Sequence, residues 1–458
     1  MKILWVCNVA LPEIAAELNM EASNKEGWLS GIAHAVLKNQ DAENPVEIAI
    51  AFPVGSAYCD PETQTCHVTV TIENSPVECY GFVEDVVHPE CYDCGLEERL
   101  DYIIKCVQPD IVHCFGTEYP HTLAACKAFP RKDRILLGIQ GLCAIYAKAY
   151  YANLPESVVK SVTFRDLLKK DSILQQQHKF FLRGENEIAA IRLAGNVTGR
   201  TKWDKESCYE WNPNAKYFKM NENLRKDFYE NQWSLEECVP HSIFLSQGDY
   251  PIKGLHYMLL ALPDILAKYP DTKVYVAGNS LVNYKTLKDK IKISAYGRYL
   301  RKLLKENGIE DKVVFLGRMK ADEMLKQYLK SHLFVCSSSI ENSSNSLGEA
   351  MLLGMPCVSA DVGGLSSIFE PGVDGIMYDA YKVDKNNSCD YIKTDAFELE
   401  NISKRLSNAV LQMWDDETKM LEYCVNARNH ARKTHDYETN CRKMTEIYAE
   451  IMGEQEEG

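Results

Sequence analysis

Apolar residues fall in short, nearly continuous runs separated by longer stretches of helical spacing. The runs are Ile3–Cys7, Val46–Phe52, Ile111–Phe115, Ile135–Ile139, Ile243–Ser246, Val274–Ala277, Val313–Leu316, Leu333–Cys336 and Cys357–Ala360. Runs of this kind, rather than alternating ones, are strands with both faces covered, as in a parallel sheet flanked by helices. Several lead into glycine, at Gly116, Gly141, Gly278 and Gly317. Parallel sheets bind ligands at such carboxyl ends, where glycine lets the backbone approach closely. Residues 152–235 break the rhythm with charge-rich helical pattern, and the alternation restarts at His241. The pattern predicts two doubly wound α/β domains, 1–235 with a helical insert and 236–430. A closing helix over 431–458 is expected to cross back to the first domain.

Composition narrows the function classes. The 458 residues are 46% hydrophobic and 25% charged, which is ordinary globular usage. Fifty-one Lys and Arg against 65 Asp and Glu give a net charge of −14, unsuited to general nucleic-acid binding. A local basic site for a phosphorylated ligand remains open. Seventeen cysteines, several in apparent strands (Cys7, Cys106, Cys114, Cys336, Cys357), are expected as free thiols in a reducing cytosol. The first residues read as a strand rather than a signal peptide, and no window holds 18 uninterrupted apolar residues. Any membrane contact is therefore expected to be peripheral, at the inner face of the plasma membrane.

The segment 337–364 carries the strongest signal. A buried strand runs into a Ser/Asn loop, a helix starts near Asn345, and Gly354-Met355-Pro356 stops it. Two glutamates, Glu341 and Glu349, stand eight positions apart. The helix N-terminus offers amide N–H groups and the positive dipole end to a phosphate. Glu349, inside the helix, suits a ribose diol, whose charge-assisted hydrogen bonds contribute roughly 1.5–3 kcal/mol each. Glu341 is placed for the group beyond the phosphates. Ser346-x-x-Glu349 also fits a capping box, a purely structural alternative.

The stretch resembles the E-x7-E motif of the retaining glycosyltransferase family 4, and the match continues through Pro356 and Gly363-Gly364. The resemblance implies a GT-B fold, two Rossmann-like domains facing a central cleft, with a nucleotide-diphosphate sugar as donor. It implies that Glu349 binds ribose, that Glu341 sits by the donor sugar, and that the amides of Asn345, Ser346 and Leu347 approach the diphosphate. Ser246-Gln247-Gly248 and Lys253-Gly254 are similar to the family's G-R-x5-K-G. Lys253 falls on the family lysine, suited to a leaving diphosphate, and Gln247 replaces the family arginine. Arg200 is a candidate to compensate. Gly317-Arg318-Met319 resembles the loop whose backbone meets the donor base. In the first half, Gly27 matches the glycine of the loop after the first strand. Asp110-Ile-Val-His113 leads to Glu118 and His121, and Gln140 stands where a histidine is common.

The reading is a retaining hexosyltransferase with Glu341, Lys253 and His121 as catalytic candidates and a glycan or lipid-linked acceptor. Polysaccharide or cell-surface glycan assembly is the expected setting. No metal motif stands in the matching places, so no cofactor is predicted to be required. An epimerase or hydrolase of the same fold is an alternative. A non-catalytic partner subunit is another, favoured by Gln247 and Gln140. Three further features remain. Cys91-x2-Cys94 follows Cys59, Cys66 and Cys79, expected as free thiols in a surface excursion rather than a zinc site. The stretch 285–305 is basic, with Tyr296, Tyr299, Leu300, Leu303 and Leu304 interleaved, either a solvated helix or a contact for an anionic membrane. Tyr146, Tyr150 and Tyr151 suit an acceptor channel or plain packing.

Overall fold

The computed structural model describes residues 1–20, 27–38, 45–282, 286–380 and 396–453. The chain forms two compact units: 1–144 with 182–225 and 434–458, and 145–181 with 226–433. The segment 145–181, expected within the first domain, is grouped with the second. The Ala152 carbonyl accepts from His256 Nε2 and Tyr257 Oη, each at 2.8 Å. The Ala295 amide donates to Asp166 Oδ2 at 2.9 Å.

The first unit holds an eight-stranded sheet. Its strands are β1 (Lys2–Val6), β2 (Glu47–Val54), β3 (Thr65–Ile72), β4 (Ser75–Val83), β5 (Ile111–Phe115), β6 (Ile135–Gly138), β7 (Asn196–Gly199) and β8 (Lys216–Lys219). The spatial order is β3-β4-β2-β1-β5-β6-β7-β8. Every neighbouring pair is parallel except the β3–β4 hairpin. Of the cysteine-rich excursion, Cys66 on β3 and Cys79 on β4 therefore belong to the sheet edge, and Cys59, Cys91 and Cys94 lie in flanking loops. The hairpin's two-residue turn, Glu73-Asn74, has φ of +48° and +63°, the twist that joins adjacent antiparallel strands. Among the described residues no cluster of metal-ligating side chains occurs, and Cys59, Cys66, Cys79, Cys91 and Cys94 are free thiols. Cys106 is a correction: it is exposed on the helix Gly95–Val107, not buried in a strand.

The strands β1 and β5 lie at the centre of this unit, and β5 is buried throughout. The helix Tyr437–Met452 is tied to them by a fully buried chain of polar groups. Trp5 Nε1 donates to the Tyr448 hydroxyl at 3.0 Å, which lies 2.7 Å from His113 Nδ1. Buried polar groups need such partners, since an unpaired one costs roughly 1–3 kcal/mol.

The second unit holds a six-stranded, wholly parallel sheet: β9 (Val239–Leu245), β10 (Lys273–Ala277), β11 (Val313–Gly317), β12 (Ser331–Cys336), β13 (Cys357–Asp361) and β14 (Ile376–Asp379). The order is β11-β10-β9-β12-β13-β14. The basic stretch forms helices Leu287–Lys292 and Ala295–Glu306, with Lys285 outside the described residues. Tyr296, Tyr299, Leu300, Leu303 and Leu304 are buried, so their apolar face belongs to the core and is not offered to a membrane. No described helix is long and apolar enough to cross a membrane.

Buried titratable groups set a pH dependence. Burial pushes His113 down to about 3, and His256 and His332 down to about 4. An unfolded histidine titrates near 6.5, so below that pH the unfolded chain binds more protons and stability falls as pH falls. Glu187 acts in the opposite sense. Burial raises it to about 8, so its contribution is lost as pH rises towards that value. Glu118, also raised by burial, acts in the same sense as Glu187, and the three histidines outweigh these two glutamates on the acid side. The melting temperature is expected to fall between about pH 6.5 and pH 4.5. Thermal unfolding of His332→Phe, which keeps the stack on Trp233 and Trp414, should show a shallower acid slope.

Candidate functional site

The second sheet reverses its build direction between β9 and β12. From β9 the chain adds β10 and β11 on one side, then crosses to add β12, β13 and β14 on the other. A parallel sheet opens a crevice at the carboxyl ends of such a pair. The hollow found there is lined by Ser246 and Gln247 after β9, by Lys253, and by Ser338, Glu341 and Ser346 after β12.

Two glycines, one after β9 and one after β13, let those loops close on the loop after β12. Gly254 has φ +70°, and a side chain there would overlap the Ser337 carbonyl oxygen. The same approach brings Ser337 Oγ to the Lys253 carbonyl at 3.0 Å and the Ser339 amide to the Ile252 carbonyl at 2.8 Å. Gly363, at φ +55°, lies against the Glu341 carbonyl oxygen with no room for a Cβ, and the Gly364 amide donates to that oxygen at 3.0 Å. Tyr146 takes part too, its hydroxyl accepting from the Asn342 amide at 3.2 Å. The loop bearing Glu341 is thus gripped from three sides.

The grip places Lys253 Nζ 2.5 Å from Glu341 Oε1, and Ser338 Oγ donates to the same oxygen at 2.8 Å. Burial works against the Lys253 ammonium, but the attraction of Glu341 and its hydrogen bond outweigh that and hold its pKa above the ordinary lysine value. The side chains retain 24% and 12% exposure, enough for a ligand to reach them from the hollow. Burial raises the neighbouring Cys336 thiol to about 11, so it stays neutral.

The helix Asn345–Leu353 starts where the sequence predicts. Its cap is Ser344, whose hydroxyl accepts from the Leu347 amide at 3.3 Å. The Ser346/Glu349 capping box is therefore not formed. The Leu347 amide is committed to the cap and not to a phosphate. Asn345 and Ser346 occupy the first helical turn, and Ser346 lines the hollow. Glu349 is 5% exposed within the helix and is not part of the hollow's lining. Gly317 ends the outermost strand, β11, and Arg318 and Met319 follow it. Arg318 Nε donates to Asn279 Oδ1 at 2.9 Å, and Asn279 Nδ2 donates to Asp249 Oδ2 at 2.9 Å, linking that edge to the loop after β9.

The first-unit candidates separate. Glu118 follows β5, with its Oε2 buried and unpartnered, and burial raises its pKa above the ordinary range. His121 is corrected: it is fully buried, Nδ1 lies 2.7 Å from Glu84 and Nε2 2.9 Å from Asn8 Oδ1. Both ring nitrogens are occupied, so it braces the loop and has no atom left for a substrate. Gln140 and Arg200 meet at the ends of β6 and β7. Arg200 pairs with Glu222 at 2.7 Å with both side chains buried, and Gln140 bonds Glu222 as well. Arg200 is therefore not a spare cation that replaces the arginine absent at Gln247. Gly27 opens the helix Gly27–Lys38.

Ser338, Tyr146 and Glu222 are the site partners that motif matching misses. Ser338 sits in a serine run where no spacing singles it out, and Tyr146 and Glu222 act across long sequence separations.

Residues 227–410 match the family model of glycosyl transferases group 1. The uncharacterized glycosyltransferase MJ1607 of Methanocaldococcus jannaschii is 33% identical over 124 residues, covering 27% of this chain and 28% of that one. The chain spans less than half the length of the curated relatives it matches. Sucrose-phosphate synthase of Thermosynechococcus elongatus superposes with a TM-score of 0.65 at 13% identity, covering 99% of this chain and 100% of that one. Anabaena HepE, solved with UDP-glucose, gives 0.61 at 15% identity, covering 98% and 100%. The fold is that of the GT-B glycosyltransferases, two Rossmann-like α/β domains with parallel sheets.

The glycine approaches carry a stability prediction. Gly372 has φ +74° with open space around it, so Gly372→Ala should cost only the backbone term, about 1–2 kcal/mol. Gly363→Ala meets the same strain plus the overlap with the Glu341 carbonyl and should cost at least about twice as much by chemical denaturation.

Proposed function

We propose that the protein is a retaining glycosyltransferase that moves a hexose from a nucleotide-diphosphate sugar to a glycan or lipid-linked acceptor. The observation that carries this is the Lys253–Glu341 pair, fixed beside a helix N-terminus in the crevice at the carboxyl ends of β9 and β12. A diphosphate placed there meets a cation and the positive end of a helix. Lys253 would exchange part of its bond to Glu341 for the leaving diphosphate, and Glu341 would then lie by the sugar. Glu349 is assigned to ribose, which requires the donor to reach the helix beyond the hollow's present lining. HepE, solved with UDP-glucose, supports a uridine nucleotide as the first donor to try.

The arrangement offers positioning and charge stabilisation in place of a covalent intermediate. A front-face displacement, in which the leaving diphosphate takes the acceptor's proton, fits a site with one cation and no exposed thiolate. Polysaccharide or cell-surface glycan assembly in the cytoplasm is the setting proposed. Gln247 is the observation that favours the second reading, a partner subunit without turnover, because it lines the hollow where the resembled family carries an arginine.

Lys253→Ala and Glu341→Ala should each lower sugar transfer by about a hundredfold or more while the far-ultraviolet circular dichroism stays unchanged. Transfer is measured with a radiolabelled UDP-sugar panel and an acceptor mixture. Wild-type rates in both variants would contradict the assignment. Nucleotide-sugar binding with no transfer, hydrolysis or epimerisation would favour the partner subunit.

A further inference from the structure

The second unit carries an apolar face turned to solvent, remote in sequence from the Glu341 loop. The helix Phe164–Lys169 exposes Phe164 to 60%, Leu167 to 68% and Leu168 to 67%, positions that share one helical face. Val162 just before it is 54% exposed, and Ile291 on the helix Leu287–Lys292 is 52% exposed. The two helices pack against each other.

This outward face is held in place, not frayed. Thr163 and Asp166 form a reciprocal capping box at its start, with bonds of 3.1 and 3.1 Å, and Lys170 closes its end in the left-handed conformation. Asp166 is itself buried, takes the Ala295 amide at 2.9 Å and pairs with Arg165 at 3.0 Å. The polar side of this short helix is thus nailed to the unit, and its apolar side is left outward.

The rim is basic on a chain of net charge −14. Lys169, Lys170 and Lys292 are exposed and enter no ion pair among the described residues. The nearby acids are engaged: Asp171 with Arg165, Glu156 with Lys160, and Asp289 with the Thr286 amide. We propose that this face, Val162 to Lys170 together with Ile291 and Lys292, docks the protein on an anionic lipid surface. Large apolar side chains insert at the headgroup boundary while adjacent lysines meet the lipid charge. A second copy is the poorer occupant, since a two-fold contact would set lysines against lysines.

The face shares only Ile291 and Lys292 with the basic stretch 285–305, whose Tyr296, Tyr299, Leu300, Leu303 and Leu304 are core. It stands independently of the sugar-transfer reading, because its test reads lipid binding and not turnover. The full chain is sedimented with phosphatidylcholine vesicles, with and without phosphatidylglycerol. Binding is expected only to the anionic vesicles and should weaken as salt is raised. L167Q/L168Q and K169E/K170E should each lower the partition coefficient by about tenfold or more. Both pairs are exposed, so both variants should keep the wild-type melting temperature, and if one does not, the other still decides. No vesicle binding by the wild type, or wild-type binding by both variants, overturns the proposal. A dimer in analytical ultracentrifugation that L167Q/L168Q abolishes, without vesicle binding, would give the face to a second copy.

Discussion

The second unit's chemistry rests on the loop after β12 being pressed between the loops after β9 and β13. Backbone meets backbone at two glycines, Gly254 under Ser337 and Gly363 against Glu341, where no other residue fits. Only at that separation can Lys253 and Glu341 pair at 2.5 Å with part of each side chain open to the hollow. The pair lies where the sheet changes direction, so the parallel strands that build the core also create its crevice.

The charge balance follows from the same geometry. Lys253 and Glu341 compensate each other, which avoids an isolated charge in a partly buried site. In the proposed function a diphosphate arriving at the helix start would compete for the same ammonium. The helix cap sharpens this: with the Leu347 amide taken by Ser344, the amides at the turn's start and Lys253 would be left to recognise the anion in the proposed function. The first unit uses its charges differently. Arg200, Gln140 and Glu222 satisfy one another in a buried cluster, and His121 is fixed between Glu84 and Asn8.

Much of this was legible in the chain. The nine continuous apolar runs each fall on a strand, because residues buried on both faces leave an unbroken signature. The strands at 65–83, 196–199, 216–219 and 376–379 leave a weaker one. Edge strands such as β3 alternate buried and exposed positions, and β7, β8 and β14 span only four residues each. Glu341, Lys253 and the Gly363-Gly364 pair were legible because their spacing is local. What escaped was long-range: Arg200 reads as a free cation until Glu222 is beside it, and His121 reads as catalytic until Glu84 and Asn8 occupy its nitrogens. Burial likewise decided the basic stretch, since a helix with tyrosines and leucines among lysines looks alike whether its apolar side meets core or lipid.

The most direct test of the central claim is isothermal titration of the intact wild-type protein with a panel of uridine and guanosine diphosphate sugars. Saturable one-to-one binding of at least one of them is expected, tighter than its sugar monophosphate, because the diphosphate would meet both Lys253 and the helix start. Absence of binding across the whole panel would contradict it.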